Sequence, residues 1–229
     1  MQTEEINNND KLQDEIKEAV EAGLDIRDTV RSITLEALSD GSLNIQSIRK
    51  VSEAVLKGAG LGVSEHGSQA GEVLQQASQG LDQALSGAAE ASKLALQEAV
   101  GRGEEFSSQN LKQGLEDLQS LEKLYLTTLK DVAKESKDQI ADILNDLAQH
   151  ADRTGTAVGK QLEEGLSELV EQITNAGKTQ LETGTDSIKA TGSMLAQIAS
   201  GILGGIADSL DPSSRSKKGT DKKSSDNST

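Results

Sequence analysis

Two histidines, His66 and His150, are the side chains best suited to general-base chemistry or metal ligation in this sequence. His66 falls on an apolar-side series with Val55, Ala77, Ala88 and Ala99, spaced eleven residues apart, and His150 sits in Gln149-His150-Ala151-Asp152. A helical metal site needs Glu or His three or four residues away, so that both ligands share one face. Neither histidine has a Glu or His at that spacing. Adjacent carboxylates occur at Glu104-Glu105, Glu116-Asp117 and Glu163-Glu164. Neighbours in a helix point to different sides, so these pairs describe a solvated acidic face. Gly58-Ala59-Gly60-Leu61-Gly62 is glycine-rich, yet it continues a helical stripe and follows no strand, as a phosphate-binding loop would have to. The absence of cysteine excludes disulfides and thiolate nucleophiles or ligands, and fits a reducing compartment. There is no nucleophile elbow or dinucleotide fingerprint. The expectation is a non-enzymatic chain with no catalytic, cofactor-binding or metal-binding residue.

The elements themselves carry the stronger signal. From Leu118, steps of eleven residues reach Leu129, Ile140, Ala151, Leu162, Ile173, Gly184, Leu195 and Ile206. Eleven residues in three turns is about 3.67 per turn, near the relaxed helix. The spacing predicts one apolar stripe of Leu118, Leu129, Ile140, Leu162, Ile173, Leu195 and Ile206 on a nearly straight rod. Upstream, Ser52, Val63, Leu74, Leu85 and Leu96 repeat the beat.

The chain divides accordingly. Residues 1–25 are acidic and partly helical, with Leu12, Ile16 and Val20 four apart and Gly23 as a stop. A helix over 26–39 follows Asp25 as N-cap and ends at Asp40-Gly41. Ser42 or Asn44 caps a long helix over 45–100, which Gly101-Arg102-Gly103 breaks. A long amphipathic region spans 104–210, with bends or fold-back expected at Thr154-Gly155 or near Gly177. The Ser/Lys/Asp-rich segment 211–229 reads as a disordered tail. The fold class is all-α: elongated amphipathic helices forming an antiparallel hairpin or bundle.

Glycines four apart inside these helices, such as Gly58 and Gly62 or Gly201 and Gly205, each cost about 1 kcal/mol against alanine. They either let neighbouring helices approach closely or keep free helices marginal until a partner orders them.

Composition bounds the partners. The net charge of −15 argues against nucleic acid and anionic membrane surfaces. Hydrophobic residues are 34% of the chain, and Phe106 and Tyr125 are its aromatic residues, so burial must come from Leu, Ile, Val and Ala. The run Ala190–Ala207 lacks charge but is diluted by polar residues and glycine, so no transmembrane span is expected. No secretory signal opens the sequence, and a cytoplasmic location is expected.

The stretch Leu118-Gln-Ser-Leu121-Glu-Lys-Leu124-Tyr125-Leu-Thr-Thr-Leu129-Lys-Asp-Val132-Ala-Lys-Glu-Ser resembles bacterial phasins, helical proteins that coat polyhydroxyalkanoate granules. The stretch Thr174 to Gly192 is similar in texture to late-embryogenesis-abundant proteins. The phasin likeness covers residues 108–175; the acidity and the helices at 26–100 depart from it. It implies a coat over an apolar granule or lipid-like surface, associated with granules in the cell. The runner-up reading is a helical homo-oligomer whose stripes are satisfied by its own helices and which acts as a protein-interaction module with helical protein partners, and a third is a desiccation protectant.

Overall fold

The computed structural model describes residues 2–40, 43–102, 106, 108–183 and 192–210. The fold is all-α, with no strand among the described residues. The helices are α1 (Gln2–Ala22), α2 (Ile26–Ser39), α3 (Ile45–Gly62), α4 (Ala70–Gly101), α5 (Ser108–Gln119), α6 (Leu121–Glu135), α7 (Asp138–Thr154), α8 (Ala157–Thr183) and α9 (Gly192–Leu210).

Leu12, Ile16 and Val20 of α1 are buried, because residues four apart share one helix face. Gly23 ends that helix in the left-handed region at φ 70. Asp25 holds the N-cap position of α2 at φ 45, but its side chain makes no capping bond. Its carbonyl instead accepts the Thr29 amide at 2.9 Å. At α3 the cap is Asn44, whose Oδ1 accepts the Gln46 and Ser47 amides at 3.1 and 3.0 Å.

Glycines set the tightest helix pairs. A Cβ on Gly58 would overlap the Gln13 carbonyl, and one on Gly62 would lie 2.7 Å from the Lys17 carbonyl. Four residues forward on α3 thus matches four forward on α1, so these helices run in the same direction. Gly80 faces Arg27 and Gly87 faces Leu35, which sets α4 alongside α2 in the same sense. The connections then dictate the topology. The start of α3 lies beside the start of α1, and six residues span at most about 20 Å. Helix α2 is 14 residues long, so it must fold back along α1 to deliver the chain there. The result is an up-down-up-down arrangement, with α1 against α3 and α2 against α4.

The single helix expected over 45–100 is interrupted. Val63–Gln69 forms a tight 3-10 segment in which Gly67 adopts φ 50 and ψ −116. Only a residue without Cβ takes that conformation cheaply, and it lets α4 reverse relative to α3.

The expected rod over 104–210 is likewise divided. At Ser120 the hydroxyl donates to the Asp117 carbonyl at 2.8 Å, competing with the helical ladder. Ser136 and Lys137 are extended at ψ 164 and 151, and Asp138 follows at φ 49. Gly155 breaks the chain again at φ 80 and ψ 167. Helix continues through Gly177. Helix α9 closes over α2 and α4: Leu203 and Leu35 both lie against Gly87, and the Leu43 amide donates to Ser200 Oγ at 3.1 Å. No helix among the described residues is long and apolar enough to cross a membrane. The expected tail, 211–229, lies outside the described residues.

Candidate functional site

A buried polar constellation lies where α4, α6 and α8 meet. Ser78 and Asp82 are four apart on α4, and Glu122 and Tyr125 three apart on α6, so each helix presents its pair on one face. Both faces meet the first turn of α8. Asp82 Oδ2 accepts the Ala157 amide at 2.6 Å and Oδ1 accepts the Val158 amide at 3.1 Å. Thr156 Oγ1 accepts the Gly159 amide at 2.8 Å while its hydroxyl donates to Glu122 Oε1, also at 2.8 Å. A helix start leaves backbone amides without intrahelical acceptors. Here a carboxylate from another helix and the local threonine take three of them. Glu122 reaches Thr156 directly over Gly159, where any Cβ would overlap its carboxylate.

Beside this cap the Tyr125 hydroxyl is buried, 2.7 Å from Ser78 Oγ and donating to the Ser78 carbonyl at 3.2 Å. Burial pushes the Tyr125 phenol well above its ordinary pKa; the Asp82 charge adds to this, and the Ser78 bond opposes it. The phenol therefore stays protonated and is no base at neutral pH. Burial also raises Asp82 above the usual aspartate range. The Ala157 and Val158 bonds oppose that shift, the Glu122 charge reinforces it, and Lys160 opposes it. The constellation joins three helices by hydrogen bonds. Each of its named donors already has an acceptor inside the protein.

The stripe residues are spread over five helices, α5 to α9. Leu118 on α5, Leu129 on α6, and Leu162 and Ile173 on α8 are buried in the common core. Ile140 on α7 is half-buried, with its Cγ2 against Gly60 of α3. Leu195 and Ile206 lie on α9, but their side chains are outside the described residues. The stripe is therefore distributed over successive helices that share a core, rather than laid along one rod. Each helix follows the same local period, so the series survives the breaks between them.

His66 lies in the 3-10 segment, and its Nε2 donates to the Val20 carbonyl at 2.7 Å, pinning the end of α1. His150 is exposed on α7. Among the described residues no three His, Cys, Asp or Glu side chains are grouped as metal ligands. A cleft of about 400 Å³ opens between α1, α2 and α3, lined by Leu12, Ile33 and Val51 together with Lys11, Glu36 and Ser47.

Sequence reasoning missed the Asp82 cap. Thr154-Gly155 signals the break before α8, but nothing local marks an acceptor 75 residues upstream of Ala157.

Residues 2–212 match a family of unknown function, DUF6781, and the chain belongs to that family. No curated protein matches the chain. No solved structure matches it either.

Proposed function

We propose that this member of the family is a non-enzymatic helical scaffold, a self-contained bundle that acts by binding other proteins or copies of itself. The observation that carries this reading is the burial of Leu118, Leu129, Leu162 and Ile173 in the chain's own core. Each such side chain gains about 1.5–3 kcal/mol by leaving water. A coat that spread this stripe over an apolar surface would first have to give that up. The exposed acidic side chains of α7, Asp138, Asp142 and Asp146, suit a surface that stays solvated.

A second reading rests on α7. Its face of Ile140, Ile143, Leu147 and Ala151 is only partly covered by the core, and backbone breaks bound the helix on both sides. That pattern favours a phasin-like coat in which α7 lies down on a granule or neutral lipid surface.

Ultracentrifugation of the full chain with and without a neutral oil emulsion separates the two. A scaffold stays in the aqueous fraction at an unchanged sedimentation coefficient. Depletion of the chain into the oil layer overturns the scaffold reading in favour of the coat.

A further inference from the structure

We propose that the open shoulder of α7 is a docking face for a basic amphipathic helix of a partner protein, a surface that rests on the scaffold reading and gives the partner its chemistry. Leu144 and Ala148 are buried and mark the side of α7 that meets the core. Two residues along a helix turn by about 200°. Asp142 and Asp146 each stand two residues from a buried position, so they point away from the core, and both are exposed. Ile143 and Leu147 each stand one residue before a buried position, turned from it by about 100°. With Ile140 and Ala151 they form a strip on one shoulder of the helix, and the core covers all four only in part. The strip is about 17 Å long, or three turns. A Cβ on Gly60 would lie 3.4 Å from Ile140 Cγ2, so α3 walls one end of it. Leu61, the next residue, is 49% exposed and brings a further large apolar side chain to that end.

Shape and charge choose the occupant. A flat apolar surface approaching α7 from outside meets Asp142 and Asp146 first, because these carboxylates lie further from the core than the strip does. A helix laid beside α7 reaches the strip from the side and meets the acids only at the rim of the contact. Among the described residues no cation pairs with Asp138, Asp142 or Asp146, which step four apart along that rim. A second copy of this chain would set the same acidic row, and a net charge of −15, against them. Lysines four apart on a partner helix match the row instead, and their long stems cover the strip while their heads stay in water. Apolar contact then supplies the affinity, and the charge row sets partner choice and orientation.

The test titrates two synthetic helical peptides into the full chain at physiological ionic strength, followed by fluorescence anisotropy and amide chemical shifts. Both carry the same leucine face; one is flanked by lysines and the other by glutamates. The lysine peptide should bind and shift the amides of Ile143 and Leu147, and the glutamate peptide should bind at least about tenfold more weakly. Asp142→Asn with Asp146→Asn should weaken the lysine peptide by about three- to tenfold, as the loss of two rim pairs does. Glu163→Gln with Glu164→Gln removes the same charge from the exposed side of α8 and should leave the affinity within about twofold. Equal weakening by the two double variants would mean a diffuse attraction to an acidic protein and overturns the proposal. Shifts centred away from α7, or equal binding of the glutamate peptide, overturn it too. Failure of the lysine peptide to bind removes this docking face alone, since a scaffold can use another surface. Depletion of the chain into a neutral oil layer sinks the scaffold reading and this proposal with it.

Discussion

Whether a glycine in this protein can be replaced depends on what faces its Cα. Gly58 lies against the Gln13 backbone, where a methyl group has no room, whereas Gly71 in α4 has nothing within 4 Å. Helix propensity alone favours alanine at both by about 1 kcal/mol. At Gly58, overpacking costs about 1–3 kcal/mol, because the obstacle is backbone and cannot swing aside. Gly58→Ala is therefore expected to lose up to about 2 kcal/mol of stability, and Gly71→Ala to gain up to about 1 kcal/mol. Urea unfolding of the two variants beside the parent checks the difference in sign. Equal shifts in the same direction would show that α1 and α3 are not packed through Gly58.

At the scale of elements, the breaks are built differently from one another. Gly67 and Gly155 use conformations that suit glycine, Ser136 and Lys137 are simply extended, and Asp25 and Asp138 are non-glycine residues held at positive φ. Gly155, like Gly67, requires glycine, since φ 80 with ψ 167 belongs to a region occupied almost only by glycine. Its Cα faces open space, so a side chain there meets no obstacle and only backbone strain counts. Gly155→Ala should cost about 1–3 kcal/mol. Because Gly155 precedes the α8 cap, lost protection should concentrate at Ala157 and Val158, as hydrogen exchange would show. A variant as stable as the parent would mean that α7 and α8 join through a different backbone path.

For the whole molecule, the distinction is between helices that hold each other and helices that wait for a surface. The core draws on every helix from α1 to α9, and its large side chains are almost entirely aliphatic. Helices joined this way should melt together, since none keeps its apolar face dry without the others. Circular dichroism in dilute buffer should show a strongly helical chain with a single cooperative thermal transition. A desiccation protectant would show little helix until it is dried. A weakly helical spectrum at low concentration would overturn the self-contained bundle, together with the scaffold reading.

Local chemistry was legible in the sequence, because it is carried by residues within a few positions of each other. The helical class, the stop at Gly23, a cap at Ser42 or Asn44 and a break at Thr154-Gly155 or near Gly177 follow from backbone preferences that act over one or two turns; the structure uses Asn44 and Gly155. The inward faces of α1 and α4 were also visible, as periodic aliphatic residues. What the period could not say is how many rods carry it. A repeat of about 3.67 residues per turn fits any α-helix, so one long helix and several short ones in register look alike. Only long-range contacts chose between them. The fold-back of α2 along α1, the glycine-mediated pairing of α3 with α1, and the Asp82 cap on α8 each join residues dozens of positions apart. No local pattern encodes such meetings, because packing selects them by which faces bury the most apolar surface while leaving the fewest polar groups unmatched.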